Sequence, residues 1–163
     1  MYQLVSPKKL DKQTKLAIEQ LELTETSTQF LKLYSQVDFD AEMHCCHLNV
    51  WIQCLQKGGD AQHGWVIYQD KSKAVLVAVF HTAWKAPDGS LFDITPREFG
   101  DKRVLFVVDD KRSISLKKMQ GMPVIDSFEN LQIMGNAVIQ QPVAKLIAPQ
   151  TDMITKYGLD SRW

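Results

Sequence analysis

Residues 43–59 read Met-His-Cys-Cys-His-Leu-Asn-Val-Trp-Ile-Gln-Cys-Leu-Gln-Lys-Gly-Gly, and their pattern predicts a helix that opens at the cysteine pair and stops at Gly58-Gly59. Glycine is the usual residue just past a helix C-terminus, because it accepts a positive φ without steric penalty. Val50, Trp51, Cys54 and Leu55 recur at helical spacing, so one broad face is apolar. Cys46 opens that same inward stripe, one turn before Val50 and two before Cys54. A thiol in the first turn of a buried helix feels the positive end of the helix dipole, which lowers its pKa. A cysteine nucleophile is well placed there if the rest of the chain supplies a base and an orienting acid.

Upstream, residues 6–22 read as a helix, with Ser6 as cap, Pro7 in the first turn and a loose leucine stripe. Residues 24–36 read as a second helix, with Thr24 or Thr26 as cap and Phe30, Leu31, Tyr34 and Val37 facing inward. Residues 38–45 are acidic and read as loop. Downstream the character changes. Strands are predicted at 64–68, 74–84, 91–94 and 103–108, with a further short one near 113–116. The turn signal Ala86-Pro87-Asp88-Gly89-Ser90 separates the second strand from the third. Residues 57–116 thus read as an antiparallel meander of four or five strands. In the tail, apolar residues from Phe128 to Ile139 suit a helix, which Pro142 and Pro149 interrupt.

The chain has 163 residues, 45% of them hydrophobic and 23% charged, which suits one domain over 1–163 with a core of its own. Nineteen basic and nineteen acidic residues cancel, so a general nucleic-acid or anionic-membrane surface is not expected. Lys8-Lys9, Lys111-Arg112 and Lys117-Lys118 are small, separated pairs that read as solvated faces. No apolar run approaches the roughly 18 residues of a membrane span, and residues 1–10 lack a signal-like apolar segment. Three cysteines, two of them adjacent, read as thiols rather than as a disulfide framework, and a cytoplasmic location is the default.

The chemistry is carried by residues on three predicted elements. The long strand holds His81 in Ala-Val-Phe-His-Thr-Ala-Trp, and the next holds Asp93 in Leu-Phe-Asp-Ile-Thr-Pro. If the five-residue turn closes between Lys85 and Leu91, Ala83 faces Asp93 and His81 faces Thr95. His81 and Asp93 are then diagonal neighbours on one face, roughly 7–8 Å apart at the backbone, within reach of a carboxylate–imidazole hydrogen bond. Asp93 would fix the tautomer of His81 and favour its imidazolium form. A sheet packed with that face on the helix start brings the imidazole to Cys46, as a thiolate–imidazolium pair.

The order Cys, His, Asp resembles the transglutaminase-like branch of the papain-like cysteine peptidase superfamily. More narrowly, Cys46-His47-Leu48-Asn49, then Gly64-Trp65, then His81-Thr82-Ala83-Trp84, then Gly89-Ser90-Leu91-Phe92-Asp93-Ile94-Thr95-Pro96 is similar to a family of small uncharacterised bacterial and phage proteins. The similarity covers about residues 43–98. It implies Cys46 as nucleophile, His81 as general base and acid, and Asp93 as orienter, with Asn49, Trp65 and Trp84 in support. It also implies an α+β fold in which N-terminal helices and a buried helix pack on an antiparallel sheet of four to five strands, a papain-like or transglutaminase-like core whose catalytic segment spans 43–116. Papain-like enzymes often add a glutamine upstream of the cysteine as an oxyanion donor. Residues 38–45 contain none, so only the Cys46 backbone N–H stands as a candidate donor.

Each residue also has a plainer reading. Cys54 reads as core. Cys45 is the alternative nucleophile, since a helix start is not legible to one residue, and it points about 100° away from Cys46 on an ideal helix. His81 could be a core histidine, Asp93 a cap before Pro96, and Asn49 a helix anchor; Trp65 and Trp84 read as core or wall rather than as substrate platforms. The function expected is cysteine-dependent acyl transfer or hydrolysis through a thioester, acting on a protein or peptide amide or ester and needing no cofactor. Two other readings stand beside it. One is a non-catalytic protein-binding or adaptor domain, with an ordinary thiol and the three groups too far apart to bond. The other is a zinc protein built on His44, His47 and His63, although the contiguous His44-Cys45-Cys46-His47 run lacks the spacing of structural zinc sites.

Overall fold

The structure, a computed structural model, describes residues 1–97 and 100–162; position 98, the far end of the segment that carries the resemblance, lies outside it. The chain is mostly β. In order it forms α1 (Lys12–Gln20), β1 (Thr28–Leu33), α2 (Cys46–Lys57), β2 (Asp60–Asp70), β3 (Val75–Lys85), β4 (Leu91–Asp93), β5 (Arg103–Val108), β6 (Ser115–Met119), β7 (Met122–Phe128), β8 (Leu131–Met134), β9 (Ala137–Gln140), β10 (Ala144–Ile147) and α3 (Thr151–Lys156).

The strand order β2-β5-β1-β4-β3 closes on itself through the β2–β3 pairing and makes a five-stranded barrel, with β8 and β9 added beyond β3 and a separate sheet β10-β7-β6. This corrects the α+β expectation: the core is not a set of helices on an open antiparallel sheet in the papain-like or transglutaminase-like manner. The closing strand is β1. It runs parallel to β4 and antiparallel to β5, so both barrel edges find their hydrogen bonds there. That demand overrides the helical spacing of residues 24–36, of which only 25–27 turn, as a short 3-10 segment. β5 likewise does not follow β4 in a meander; it pairs with β2 and β1.

One apolar cluster fills the barrel, with Leu31, Val66, Ala83, Val104 and Phe106 buried and Leu91 packed against them. The alternate residues, Trp65 and Ile67, Leu76 to Phe80 by twos, and Leu105 and Val107, face outward and are covered by Ala17 and Ile18 of α1, by Leu21 just after it, and by Leu131 and Ile133 of β8. α2 lies across the outer face of β3: Val50 packs near Trp84 and Ile94. Leu48, Trp51 and Ile52 pack with Ile125, Met153 and Ile154. As its sequence predicts, α2 stops at Gly58, with φ +74°.

α1 begins later than Ser6 and Pro7 suggest. Asp11 caps it in a reciprocal box with Thr14, while the Ser6 hydroxyl accepts from the Leu105 N–H instead. Asp11→Ala is expected to cost about 1 kcal/mol, read as a lower urea midpoint at unchanged slope. The tail also departs from its expected helix. Residues 115–140 form two hairpins with two-residue turns, Gln120-Gly121 and Gly135-Asn136.

Candidate functional site

Two features of β3 build the site. β2 pairs with it along its whole length, but its other edge is shared. β8 takes residues 75–78, and β4 takes Trp84 and Lys85. Among the described residues, 79–83 carry no strand on that edge. The first turn of α2 lies against this gap: His47 bonds to the Thr82 hydroxyl, and Cys46 is within hydrogen-bonding reach of His81. The barrel's inner face and the helix outside it therefore meet around one short stretch of strand.

The Lys85↔Leu91 register is the one the five-residue turn predicts, and it puts His81 and Asp93 on one face. His81 Nε2–H donates to Asp93 Oδ1 at 3.0 Å, with side chains 12% and 3% exposed. Asp93 Oδ1 also accepts the Thr95 N–H, and its Oδ2 accepts both Nε and Nη2 of Arg97, at 3.1 and 2.9 Å. With Nε2 committed to Asp93, Nδ1 is the ring nitrogen left for the thiol.

The electrostatics follow from these contacts. Burial pushes the Asp93 carboxyl up, but His81 and Arg97 outweigh it and bring it down to about 2. Burial opposes charge on His81, yet Asp93 and Cys46 raise it to about 10. Burial also pushes the Cys46 thiol up, and the His47 and His81 imidazoles beside it reverse that and hold it well below the ordinary thiol range. Cys45 goes the other way: burial, then Glu42 and Cys46, push its thiol up. It caps α2 without a side-chain bond and packs among the residues around Leu48 and Ile125. Of the two adjacent thiols, Cys46 is the one in a thiolate-stabilising setting.

The supporting residues divide. Asn49 is fully buried; it donates to Glu42 O and accepts from Glu42 N–H, tying down the approach to the helix, and donates to Thr95 Oγ1 on the strand side. It thus serves as anchor and as neighbour of the site together. Trp65 and Trp84 are core. Trp65 Nε1–H donates to Asp109 and Trp84 Nε1–H to the Gly58 carbonyl.

Four groups around the predicted triad escaped the sequence reading. Arg97 sits four residues after Asp93, beyond Pro96, a spacing that signals an ion pair only once a turn is known there. His47, next to Cys46 and read there only as a metal ligand, stands 3.8 Å from the sulfur and meets Thr82 and Ser127 with its two ring nitrogens; His63 meets the same Thr82 hydroxyl. Among the described residues, no group of three or more His, Cys, Asp or Glu is arranged to hold a metal ion.

A cleft of about 740 Å³ opens over the site and wraps the free edge of β3. Its lining includes Tyr68, Val79, Arg97, Ser127, Phe128 and Ile147. Among the described residues no helix is long and apolar enough to cross a membrane. No protein-family model matches the chain, and no curated protein or solved structure does either.

Proposed function

We propose that the chain is a cysteine-dependent acyl-transfer or hydrolytic enzyme acting on an amide or ester, with a peptide or protein as the expected substrate. One observation carries the reading: a thiol at a helix start, electrostatically coupled to an imidazole that is itself bonded to a buried carboxylate. The Cys46 thiolate attacks the carbonyl carbon, and an S–C bond forms. The tetrahedral adduct collapses as the C–N or C–O bond breaks, and the His81 imidazolium gives its proton to the leaving amine or alcohol. Water or an amine then attacks the thioester, His81 takes the incoming proton, and the sulfur leaves as thiolate. Asp93 keeps His81 in the tautomer both steps need. The Cys46 N–H, in the first turn of α2 where amides have no partner inside the helix, faces the developing oxyanion. Cys45 and Cys46 are both thiols, a state that fits a reducing compartment such as the cytoplasm. The adaptor reading expects the catalytic groups too far apart to bond, and the His81–Asp93 bond tells against it.

The test is a p-nitrophenyl ester series followed by mass spectrometry. The expected result is a burst of one p-nitrophenol per chain with the acyl group on Cys46, lost in Cys46→Ala and His81→Ala. A burst that persists in Cys46→Ala and moves to Cys45 rejects the assignment; no burst with any ester rejects the enzyme. Alkylation gives the pH dependence. A lowered thiol pKa means thiolate persists on the acid side, so Cys46 is expected to react with iodoacetamide at about pH 6 at least tenfold faster than an ordinary thiol of pKa near 8.5, and Cys45 only above that range.

A further inference from the structure

We infer that the Cys46 sulfur has a second imidazole partner, His47, whose Nδ1 carries the hydrogen because one threonine hydroxyl stands between it and His63. This rests on the reading of Cys46 as the nucleophile and adds what holds that nucleophile in place.

The argument is a count of hydrogens. Thr82 is fully buried, and its Oγ1 meets His47 Nδ1 on one side and His63 Nδ1, at 3.0 Å, on the other. A hydroxyl has one hydrogen to give and lone pairs to accept with. Two accepting rings would need two hydrogens, and two donating rings would leave the buried hydroxyl hydrogen with no acceptor among the described residues, so one imidazole donates to Thr82 and the other accepts from it. Two directions are open: His47 to Thr82 to His63, or the reverse.

Cys46 chooses between them. Its Sγ lies 3.8 Å from the same His47 Nδ1. In the first direction that nitrogen bears a hydrogen, shared between the Thr82 oxygen and the sulfur, and a thiolate gains a donor. In the reverse direction the nitrogen presents a lone pair, already taken by Thr82, to an electron-rich sulfur. The far side of the ring agrees. The tautomer with hydrogen on Nδ1 has its Nε2 lone pair free, and the Ser127 hydroxyl stands 3.5 Å away to donate to it. His63 agrees too. Burial above all lowers it to about 4, so it is neutral at ordinary pH and has a lone pair to accept with.

The groups facing this chain are Cys46 and His47 from α2, His81 and Thr82 from β3, His63 from β2 and Ser127 from β7, with Asp109 acting on His63 from beyond β5. The sulfur thus stands between two imidazoles of different kinds. His81, backed by Asp93, moves the proton. His47, locked by Thr82, holds a fixed N–H toward the sulfur. His47 touches the reacting atom; Thr82 and His63 act through it and are positioning residues.

Long-range proton–nitrogen correlation spectra of ¹⁵N-histidine-labelled protein test this directly, with His47→Gln and His63→Gln used to assign the rings. The expected result is a protonated Nδ1 on His47 and an unprotonated Nδ1, with protonated Nε2, on His63. The opposite tautomers overturn the inference, with or without esterase activity. The tautomers stand or fall independently of acylation, so failure of the ester burst removes the proposed reaction without touching them. A second measurement follows Cys46 alkylation by peptide mapping across pH. Thr82→Val is expected to move the midpoint upward and slow alkylation at about pH 6 by about threefold or more, while Thr82→Ser restores the wild-type curve. A folded Thr82→Val protein with the wild-type curve overturns the positioning role. If Thr82→Val does not fold, the wild-type spectra decide alone.

Discussion

Asp93→Ala is expected to lower folding stability by about 3–5 kcal/mol, as loss of one partner from a buried charge cluster does, and to abolish the fast alkylation of Cys46. The carboxylate is 3% exposed and accepts from His81, Thr95 and twice from Arg97. Without it, the guanidinium, itself only 9% exposed, and the imidazolium face each other with no counter-charge. His81 then loses the contribution that most raises its pKa, so less imidazolium stands beside the sulfur and the thiol pKa climbs. Asp93→Asn keeps the volume and one acceptor, so it should recover part of the stability but not the alkylation rate. Urea melts and iodoacetamide kinetics on the three proteins separate the two effects. Equal alkylation rates in wild type and Asp93→Asn would remove Asp93 from the chemistry.

The same group sets an acid limit. Its folded pKa, about 2, lies below the roughly 3.9 of an unfolded aspartate. A depressed acid contributes stability that is fully present above the unfolded pKa and is lost as pH falls through the folded one. The loss therefore falls between about pH 4 and pH 2 and amounts to about 2–3 kcal/mol. His81 has the opposite sign: raised to about 10, it contributes fully below its unfolded value near 6.5 and fades as pH rises toward 10.

What the sequence made legible was local. α2 has one apolar stripe and a glycine stop, and the β3–β4 register follows from the length of a five-residue turn, so the face shared by His81 and Asp93 was readable without a fold. β1 was not. The apolar positions in and just after it, Phe30, Leu31 and Tyr34, match a helix as well as a strand, and only Leu31 enters the barrel; Phe30 and Leu33 are 42% and 37% exposed. Its partners, β5 and β4, lie far along the chain, and pairing with them decides its conformation. Barrel closure was hidden for the same reason. The tail hairpins did carry a signal. In the second of them Gly135-Asn136 suits the tight two-residue turn of a hairpin, with Gly135 at positive φ, but the apolar residues from Phe128 to Ile139 match a helix as well. Arg97 and Thr82 are invisible until the turn after Asp93 and the free edge of β3 are known.

That free edge depends on β2 holding β3 from the other side, and β2 is itself pressed closely against β5 at Gly64. Gly64 sits opposite His81 on β3 and opposite Val108 on β5. Its φ is not in the left-handed region, so alanine there meets no backbone strain. It meets atoms: a Cβ would lie 2.3 Å from the Val107 carbonyl oxygen and 2.4 Å from Cζ of Phe106. Neither can retreat. The oxygen belongs to a paired strand, and Phe106 is fully buried in the barrel against Leu31, Val66 and Val104. Gly64→Ala is therefore expected at the upper end of overpacking costs, about 3 kcal/mol or more, and to shift β2 and β3 together, moving His81 off the Cys46 sulfur. Gly121→Ala is the contrast. Gly121 has φ +81° and nothing near its missing Cβ, so alanine there costs backbone strain alone, about 1 kcal/mol, with no change at Cys46. Urea midpoints and Cys46 alkylation of the pair are the measurements. A Gly64→Ala protein within about 1 kcal/mol of wild type and with wild-type alkylation would mean that β2 does not set the position of His81.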